Sequence, residues 1–244
     1  MMKILSVEFK LHLRQWPFML FTIGLPVALL LGLGLTVPSM TQLNQSSGER
    51  PVDTHMPSAM VLLALLTLGC SVLPAVLAAY REHGVLRRMS TTPVHPARLL
   101  VVQLLIYLGV GVVTTALLIG TGTLAFGTPV PRQWAGFVLV FLLGTAALLA
   151  MGLVIGALAP NTKTAQGVGS AVMFPLMFVG GVWIPRENMP DVLGAISDFS
   201  VAGPITQALR DTWAGHPPQV SHLVVMAAGL ALFGGLAARS FRWE

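Results

Sequence analysis

Charged side chains are scarce in this chain and are confined to short islands. Only 9% of the 244 residues are Asp, Glu, Lys or Arg, whereas 55% are hydrophobic. Six stretches contain none of the four charged types: residues 15–48, 54–80, 99–131, 133–162, 164–185 and 212–238. Each is longer than the about 20 residues that an α-helix needs to cross a hydrocarbon core about 30 Å thick. The scarcity of charge leaves little material for a soluble domain and predicts six membrane-spanning helices.

Alternating polarity is also missing. A membrane barrel would need strands of about 9 to 11 residues in which apolar and polar side chains alternate. Apolar runs such as residues 139–151 do not alternate. The sequence therefore predicts an all-α integral membrane protein, with residues 1–244 forming a single transmembrane domain.

Cysteine is almost absent. The lone Cys70 excludes an intramolecular disulfide and a Cys-rich metal site. The six histidines are scattered, without an H-E-x-x-H pair or other ligand spacing. We therefore expect no metal site and no cofactor in this chain.

Catalytic motifs are missing as well. A P-loop needs G-x-x-x-x-G-K-[ST], and none of Lys3, Lys10 and Lys163 follows such glycines. There is no G-x-S-x-G elbow, and the predicted spans lack general acids and bases. We predict that the chain is not an enzyme and that any ATP that drives it binds to another chain.

The basic residues that are present define an orientation. Six spans put both termini on one side, and that side holds ten of the 14 Lys and Arg residues. Because basic residues are retained in the cytoplasm, both termini are predicted to be cytoplasmic in a multi-pass protein of a bacterial inner membrane. The basic residues lie beside helix ends without interleaved aromatics, so nucleic-acid binding is not expected.

Apolar patterning places the individual helices. Residues 1–16 carry apolar side chains at three- and four-residue steps opposite basic ones, which predicts an interfacial helix. The N-terminal basic residues and apolar run resemble a signal peptide, but the run is too long and lacks a cleavage site, which favours a retained helix. The predicted spans are about 17–36, 58–79, 97–126, 134–158, 165–184 and 219–238.

Proline and glycine mark special points within the spans. Pro26, Pro74 and Pro175 remove backbone hydrogen bonds and predict kinks. Gly152 and Gly156 form a G-x-x-x-G pair, which predicts close helix packing either within the chain or between subunits.

The segment from Pro185 to Pro218 is long and is predicted to be external. Pro190 and Pro204 suit the first residues of two short helices. Ile205, Leu209 and Trp213 recur every four residues before Gly215, and glycine commonly follows the last residue of a helix. Helices this short cannot cross a bilayer, so we predict a pair of re-entrant or interfacial helices that form an external lid.

The longest cytoplasmic connection runs from Arg81 to Arg98. Its first part reads as a short amphipathic helix, with Arg81, Gly84, Arg87 and Arg88 opposite Val85, Leu86 and Met89. Two interpretations are open. The arginines could serve only to fix the topology, or the helix could dock a cytoplasmic partner.

Three motifs in order resemble the type-2 permease family of ABC transporters. The first is R-E-H-G-V-L at residues 81–86, followed by T-P-V at 92–94. The second is G-G-V-W-I-P at 180–185, followed by Met189 and Pro190. The third is Pro204 with Q-A-L-R at 207–210. The chain departs from the family at Arg87, where an acidic residue is frequent, and at Gly203, where Asn is frequent.

This resemblance implies a permease subunit that pairs with a second permease copy, as a homodimer or heterodimer, within the lipid bilayer. Separate ATP-binding cassette subunits would bind ATP and Mg and drive export of a hydrophobic or amphipathic molecule. The chain looks most like the drug-resistance exporters of the daunorubicin-type branch, a role in antibiotic resistance.

The same resemblance and the side-chain types indicate three groups of site residues. The predicted contact with the ATPase comprises Arg81, Glu82, Gly84, Val85, Leu86, Arg87, Arg88 and Met89. Adaptable Met and stacking aromatic side chains indicate a substrate pathway at Thr67, Met173, Met177 and Phe178. The predicted lid residues are Pro190, Pro204 and Arg210.

Two other functional classes stay open at this point. An ion-coupled secondary transporter would place an ionisable side chain near the bilayer midplane, and the predicted spans have none there. A membrane structural or immunity protein that transports nothing would explain the hydrophobicity but not the patterned helix after Arg81.

Overall fold

The computed structural model describes residues 16–43, 48–84 and 97–240. Within these ranges the chain forms helices and no strands, which confirms the all-α prediction. The α-helices are α1 (Trp16–Thr36), α2 (Pro38–Thr41), α3 (His55–Glu82), α4 (Ala97–Phe126), α5 (Trp134–Leu158), α6 (Thr162–Val179), α7 (Asp191–Phe199), α8 (Ala202–Ala214) and α9 (Val220–Ser240). The predicted interfacial helix over residues 1–16 falls almost entirely outside the described residues.

Four of the described helices, α3, α4, α5 and α9, are long and apolar enough to cross a membrane. The apolar part of α1 whose side chains are described, Leu20–Thr36, is shorter, and α6 has 18 residues that begin with Thr162 and Lys163. The structure thus supports four spans, and the six-span topology stays a prediction.

The predicted fifth span, residues 165–184, differs from the helix that forms. Helix α6 starts earlier, because the side chain of Asn161 accepts a hydrogen bond from Thr164 N at 2.8 Å. It ends at Val179, because Gly181 takes a φ of 78° that an α-helix does not allow. The predicted second span is extended at both ends, to His55 and Glu82.

Helix α3 occupies the centre of the bundle. Every residue from Met56 to Leu66 is buried, and α3 packs against α1, α4, α5, α6 and α8. Its middle, Thr67–Val72, is a π-helical turn in which Leu73 N donates to Leu68 O. Pro74 follows this turn and lacks the N–H that would bond the carbonyl of residue 70. The irregularity expected at Pro74 therefore takes the form of a π turn.

Glycines bring α5 and α6 onto the backbone of this turn. A Cβ at Gly152 of α5 would collide with the carbonyl oxygen of Gly69, and a Cβ at Gly169 of α6 would collide with that of Cys70. A Cβ at Gly156 would lie 3.0 Å from the Leu77 side chain. The G-x-x-x-G pair is thus used within the chain, since small residues let helix backbones approach closely.

Helices α7 and α8 fill the predicted lid segment. Ile205, Leu209 and Trp213 are buried, and the indole Nε1 of Trp213 donates to Pro129 O at 2.8 Å. Gly215 ends α8 with a φ of 99°, as its position suggested. Pro190 precedes the first residue of α7, and Pro204 is the third residue of α8, so both helix starts were predicted one or two residues away from their observed positions.

Candidate functional site at the two ends of helix α3

The last turn of α3 holds the C-terminal end of α5. Arg81 Nη1 donates to Ala157 O at 3.2 Å and to Ala159 O at 3.0 Å. The last carbonyls of an α-helix have no partner within the helix and carry partial negative charge. A guanidinium is therefore a suitable ligand for the end of α5.

The next residue holds the N-terminal end of α6. Glu82 Oε2 accepts hydrogen bonds from Thr162 N at 3.2 Å and from Thr162 Oγ1 at 2.8 Å. The first N–H groups of a helix are unpaired and favour a carboxylate. Adjacent side chains of α3 thus bind the end of one helix and the start of the next, and we call Arg81 and Glu82 the 81–82 clamp.

Gly84 ends α3 directly after the clamp. Its N–H donates to Arg81 O at 3.0 Å, and its φ of 65° lies in the left-handed region that favours glycine. Among the described residues, no atom lies within 4 Å of a Cβ built at this position. The positive φ of the turn therefore accounts for glycine here. The remaining predicted contact residues, Val85, Leu86, Arg87, Arg88 and Met89, lie outside the described residues.

The four predicted pathway residues do not share one surface. Thr67 is buried in the π turn, where its Oγ1 donates to Leu63 O at 2.8 Å, and Met177 is buried in the core. Met173 is partly buried against the core, whereas Phe178 is 53% exposed. Phe174, which the sequence reasoning missed, is 55% exposed on the same face of α6. Its four-residue spacing from Phe178 was the signal that could have identified it.

The opposite end of the bundle is held by paired charges. Arg186, in the short helical turn Arg186–Asn188, binds Asp198 through two hydrogen bonds, Nε to Oδ1 at 2.9 Å and Nη2 to Oδ2 at 2.7 Å. Gln207 Nε2 donates to the same Asp198 Oδ1 at 3.2 Å. The Arg186 hydrogen bond, assisted by Gln207, holds the pKa of Asp198 below its usual value. We call Arg186, Asp198 and Gln207 the 186–198 lock.

Two glycines give this lock its compact form. A Cβ at Gly194 would collide with the Arg186 guanidinium, so the guanidinium lies directly over α7. A Cβ at Gly203 would collide with the carbonyl oxygen of Ser197. At position 203 the type-2 permease motif frequently has Asn, whereas this chain has Gly. The close contact between α7 and α8 at this position leaves no room for a side chain.

Arg210, a predicted lid residue, forms an ion pair with Glu187. Arg210 was predicted from the sequence, but its partner Glu187 was not, and neither was Asp198, the partner of Arg186. The available signal was the presence of four acidic residues, Glu187, Asp191, Asp198 and Asp211, in the same segment as the two arginines. The pairing itself depends on how α7 and α8 fold against the Arg186 turn.

Comparison with known proteins assigns the chain to a class. The ABC-2 type transporter family matches residues 2–213, which is most of the chain, so the chain belongs to this family. The family predicted from the sequence motifs is therefore confirmed, and it implies in general an ATP-binding cassette partner.

One curated relative adds detail. Over 103 residues the chain is 28% identical to the protein named "Putative transport permease YvfS" of Bacillus subtilis (strain 168). The alignment covers 42% of this chain and 42% of that relative, so the chain spans less than half of the relative's length. No solved structure matches the chain. The family and this relative support a permease subunit of a multi-pass membrane protein.

Proposed function

We propose that this chain is the transmembrane permease subunit of an ABC exporter. A separate ATPase subunit binds ATP and Mg, and the exported substrate is hydrophobic or amphipathic, as in the drug-resistance exporters of the daunorubicin-type branch. The 81–82 clamp is the observation that carries this proposal. It joins the segment that enters the predicted contact helix to the ends of two other helices.

The clamp provides a route for work done on the segment after Gly84. A displacement of that segment acts on Arg81 and Glu82, and through them on α5 and α6 together. Shifting a two-state gate from 1:99 to 99:1 requires about 5.5 kcal/mol of differential binding. One hydrogen bond contributes about 0.5 to 1.5 kcal/mol, so the clamp transmits motion while a packed surface that includes Val85, Leu86 and Met89 supplies the binding energy.

The exposed face of α6 is the proposed pathway surface. Phe174 and Phe178 are exposed here, with Gln166, Gly167 and Ala171 on the preceding turns. A face turned only to lipid would gain from bulkier apolar residues, whereas small and polar residues favour contact with another helix. We propose that this face meets a second permease copy and the substrate, with Phe178 as a lining residue.

The main alternative, an ion-coupled carrier, needs an ionisable pair near the middle of a span. Among the described residues, His222 lies 4.0 Å from Asp211, but it occupies the first turn of α9 at the end of the bundle. A non-transporting structural or immunity protein has no need of a clamp that leads into a contact helix. Both observations favour the exporter.

The orientation is part of the proposal, with both termini and the 81–82 clamp in the cytoplasm and α7 and α8 outside. Single cysteines at the exposed positions Ser39 and Lys163, introduced with Cys70→Ala, test it. An impermeant maleimide added to intact cells should label Ser39→Cys only. Labelling of Lys163→Cys from outside would overturn the orientation.

Function is tested by reconstituting the permease with an ATP-binding cassette subunit that co-purifies with it and measuring substrate-stimulated ATP hydrolysis. Leu86→Asp should abolish stimulation and transport at normal membrane abundance, whereas Arg88→Ala should reduce them less. Normal coupled transport by Leu86→Asp would reject the contact helix. Failure of any ATPase to co-purify would favour the alternatives.

A further inference from the structure

A cavity of about 650 Å³ opens at the Arg186 end of the bundle. It lies between the end of α1, helix α2, the start of α3 and the segment that follows α6. This volume falls within the range of about 300 to 1,000 Å³ that small-molecule sites occupy. The cavity is separate from the exposed face of α6 and is formed within one protomer.

The cavity wall combines adaptable and aromatic apolar side chains. Three methionines contribute, and they suit ligands of irregular shape because their thioether chains are flexible. Trp183, which is 47% exposed, offers an aromatic surface. The main apolar lining residues are Leu33, Met40, Met56, Met60 and Trp183.

Among the described residues, the polar side chains of the cavity wall are Ser39, Gln42, His55 and Asn188. None of them is an acidic or permanently cationic residue. Hydroxyl, amide and imidazole groups both donate and accept hydrogen bonds, so they suit ligand hydroxyls, carbonyls and amides. A few polar groups on an otherwise apolar wall are what orients a small molecule.

Three pairs of charged residues near the cavity are bound to each other, and the Glu49 carboxylate accepts a hydrogen bond from Thr54 Oγ1 at 3.0 Å. Arg50 binds Asp53 through Nε at 2.8 Å and Nη2 at 2.7 Å, next to the lining residue Pro51. The 186–198 lock lies beside the lining residue Pro185, and Arg210 pairs with Glu187. A charged ligand would have to displace one of these partners or remain unpaired in an apolar cavity, and both are costly.

We propose that this cavity binds an uncharged amphipathic small molecule. Its apolar body lies against Met40, Met56, Met60 and Trp183, and its hydroxyl or amide groups bond to the polar wall. The occupant comes either from the membrane, as a neutral lipid, or from solution. Binding to this cavity requires no ATPase, so it can be tested independently of the proposed export function.

Photolabelling in nanodiscs without an ATPase tests the site. One arm uses a diazirine-bearing diacylglycerol and the other a diazirine-bearing progesterone, with the labelled peptides identified by mass spectrometry. We expect labelling of peptides that contain Met40, Met56 or Trp183. Labelling by the lipid indicates a two-chain lipid occupant, labelling by the steroid alone indicates a smaller amphipath that is added from solution, and labelling by neither overturns the proposal.

Two variants keep the test specific. Ser39→Trp narrows the cavity from an exposed position and should reduce labelling about tenfold, because the probe no longer fits. Leu124→Trp, a substitution at a residue that is 89% exposed and does not line the cavity, should leave labelling unchanged. Equal labelling of the Ser39→Trp variant would show that the probe binds elsewhere and would overturn the proposal.

Competition tests the charge preference. In the wild-type protein, unlabelled progesterone should compete, whereas progesterone hemisuccinate and an amine derivative should compete about tenfold less well. Gln42→Glu places an unpaired carboxylate on the wall and should improve competition by the amine derivative. Equal competition by the neutral and charged steroids in the wild-type protein would reject the proposed ligand class.

Discussion

The two ends of α3 use charge differently. At the Glu82 end, each charged side chain binds backbone groups at a helix terminus. At the Arg186 end, charge is paired with charge, and the carboxylate also accepts from Gln207. The Arg186–Asp198 pair uses two atoms of each group, which fixes its geometry, whereas Arg81 and Glu82 each bind through one atom, which constrains geometry less. We therefore predict a movable joint at the Glu82 end and a rigid one at the Arg186 end.

Between these ends, the π turn must hold the helices together, and it should be the most sensitive point of the three. Gly169→Val forces a side chain against the Cys70 carbonyl and should cost about 3 kcal/mol or more in the free energy of unfolding, because neither backbone can move away cheaply. Thermal unfolding and membrane abundance measure this.

Gly167→Val is the matched control for that substitution. It lies two residues away on the same helix, and in the described part of the chain no atom lies within 4 Å of its added Cβ. It should unfold near the wild-type temperature. Equal destabilisation by the two substitutions would show that a β-branched side chain on this helix, rather than the contact at the π turn, is responsible.

The rigid end should respond next most strongly. Asp198→Ala removes both hydrogen bonds to Arg186 and the one from Gln207, and should lower stability by about 1 kcal/mol, since solvent screens this partly exposed pair. Asp191→Ala, at a carboxylate with no hydrogen bond to Arg186 in the described residues, should cost less in the same unfolding assay. A wild-type unfolding temperature for Asp198→Ala would contradict a rigid lock.

A substitution at the Glu82 end should impair function without lowering stability. Glu82→Ala should leave the free energy of unfolding nearly unchanged, because Glu82 is exposed, yet it should strongly reduce substrate-stimulated ATP hydrolysis. Lys163→Ala, at the exposed neighbour of Thr162, should affect neither quantity. Full stimulation with Glu82→Ala would remove the clamp from the proposed mechanism.

The smallest effect is a pH dependence of the rigid end. Arg186 lowers the pKa of Asp198 in the folded protein below the usual 3.8, so the lock stabilises the fold fully above that pH. The stabilisation is lost as pH falls through the lower, folded-state pKa. Unfolding measured from pH 5 downward should show this loss, and Asp198→Asn should show less of it. The same acid dependence in that variant would assign the loss to other carboxylates.

Several features of the fold could be predicted from the sequence because they depend on local composition. The apolar runs that form α4, α5 and α9 were placed within a few residues, and Gly215 was recognised as the end of α8. The end of α6 was predicted five residues too late, since residues 180–184 are apolar enough to continue a span. The positive φ of Gly181 that ends the helix does not show in an apolar pattern.

Only part of the candidate site could be predicted from the sequence. Arg81, Glu82 and Gly84 were identified by motif, but the partners of the two charged residues, Ala157, Ala159 and Thr162, were not. These partners lie 76 to 80 residues further along the chain, and all three act through backbone groups, Thr162 through its hydroxyl as well. A carbonyl at a helix end carries no residue-type signal, so no sequence pattern could identify it.

Sequence alone determined that the chain is helical, embedded in a membrane and a member of a permease family, because hydrophobic run length and short motifs are local properties. Tertiary structure decided which glycines meet the π turn, which arginine takes which carboxylate, and where the cavity opens. Those outcomes depend on the relative placement of helices, and packing sets that placement through distances that no single segment encodes.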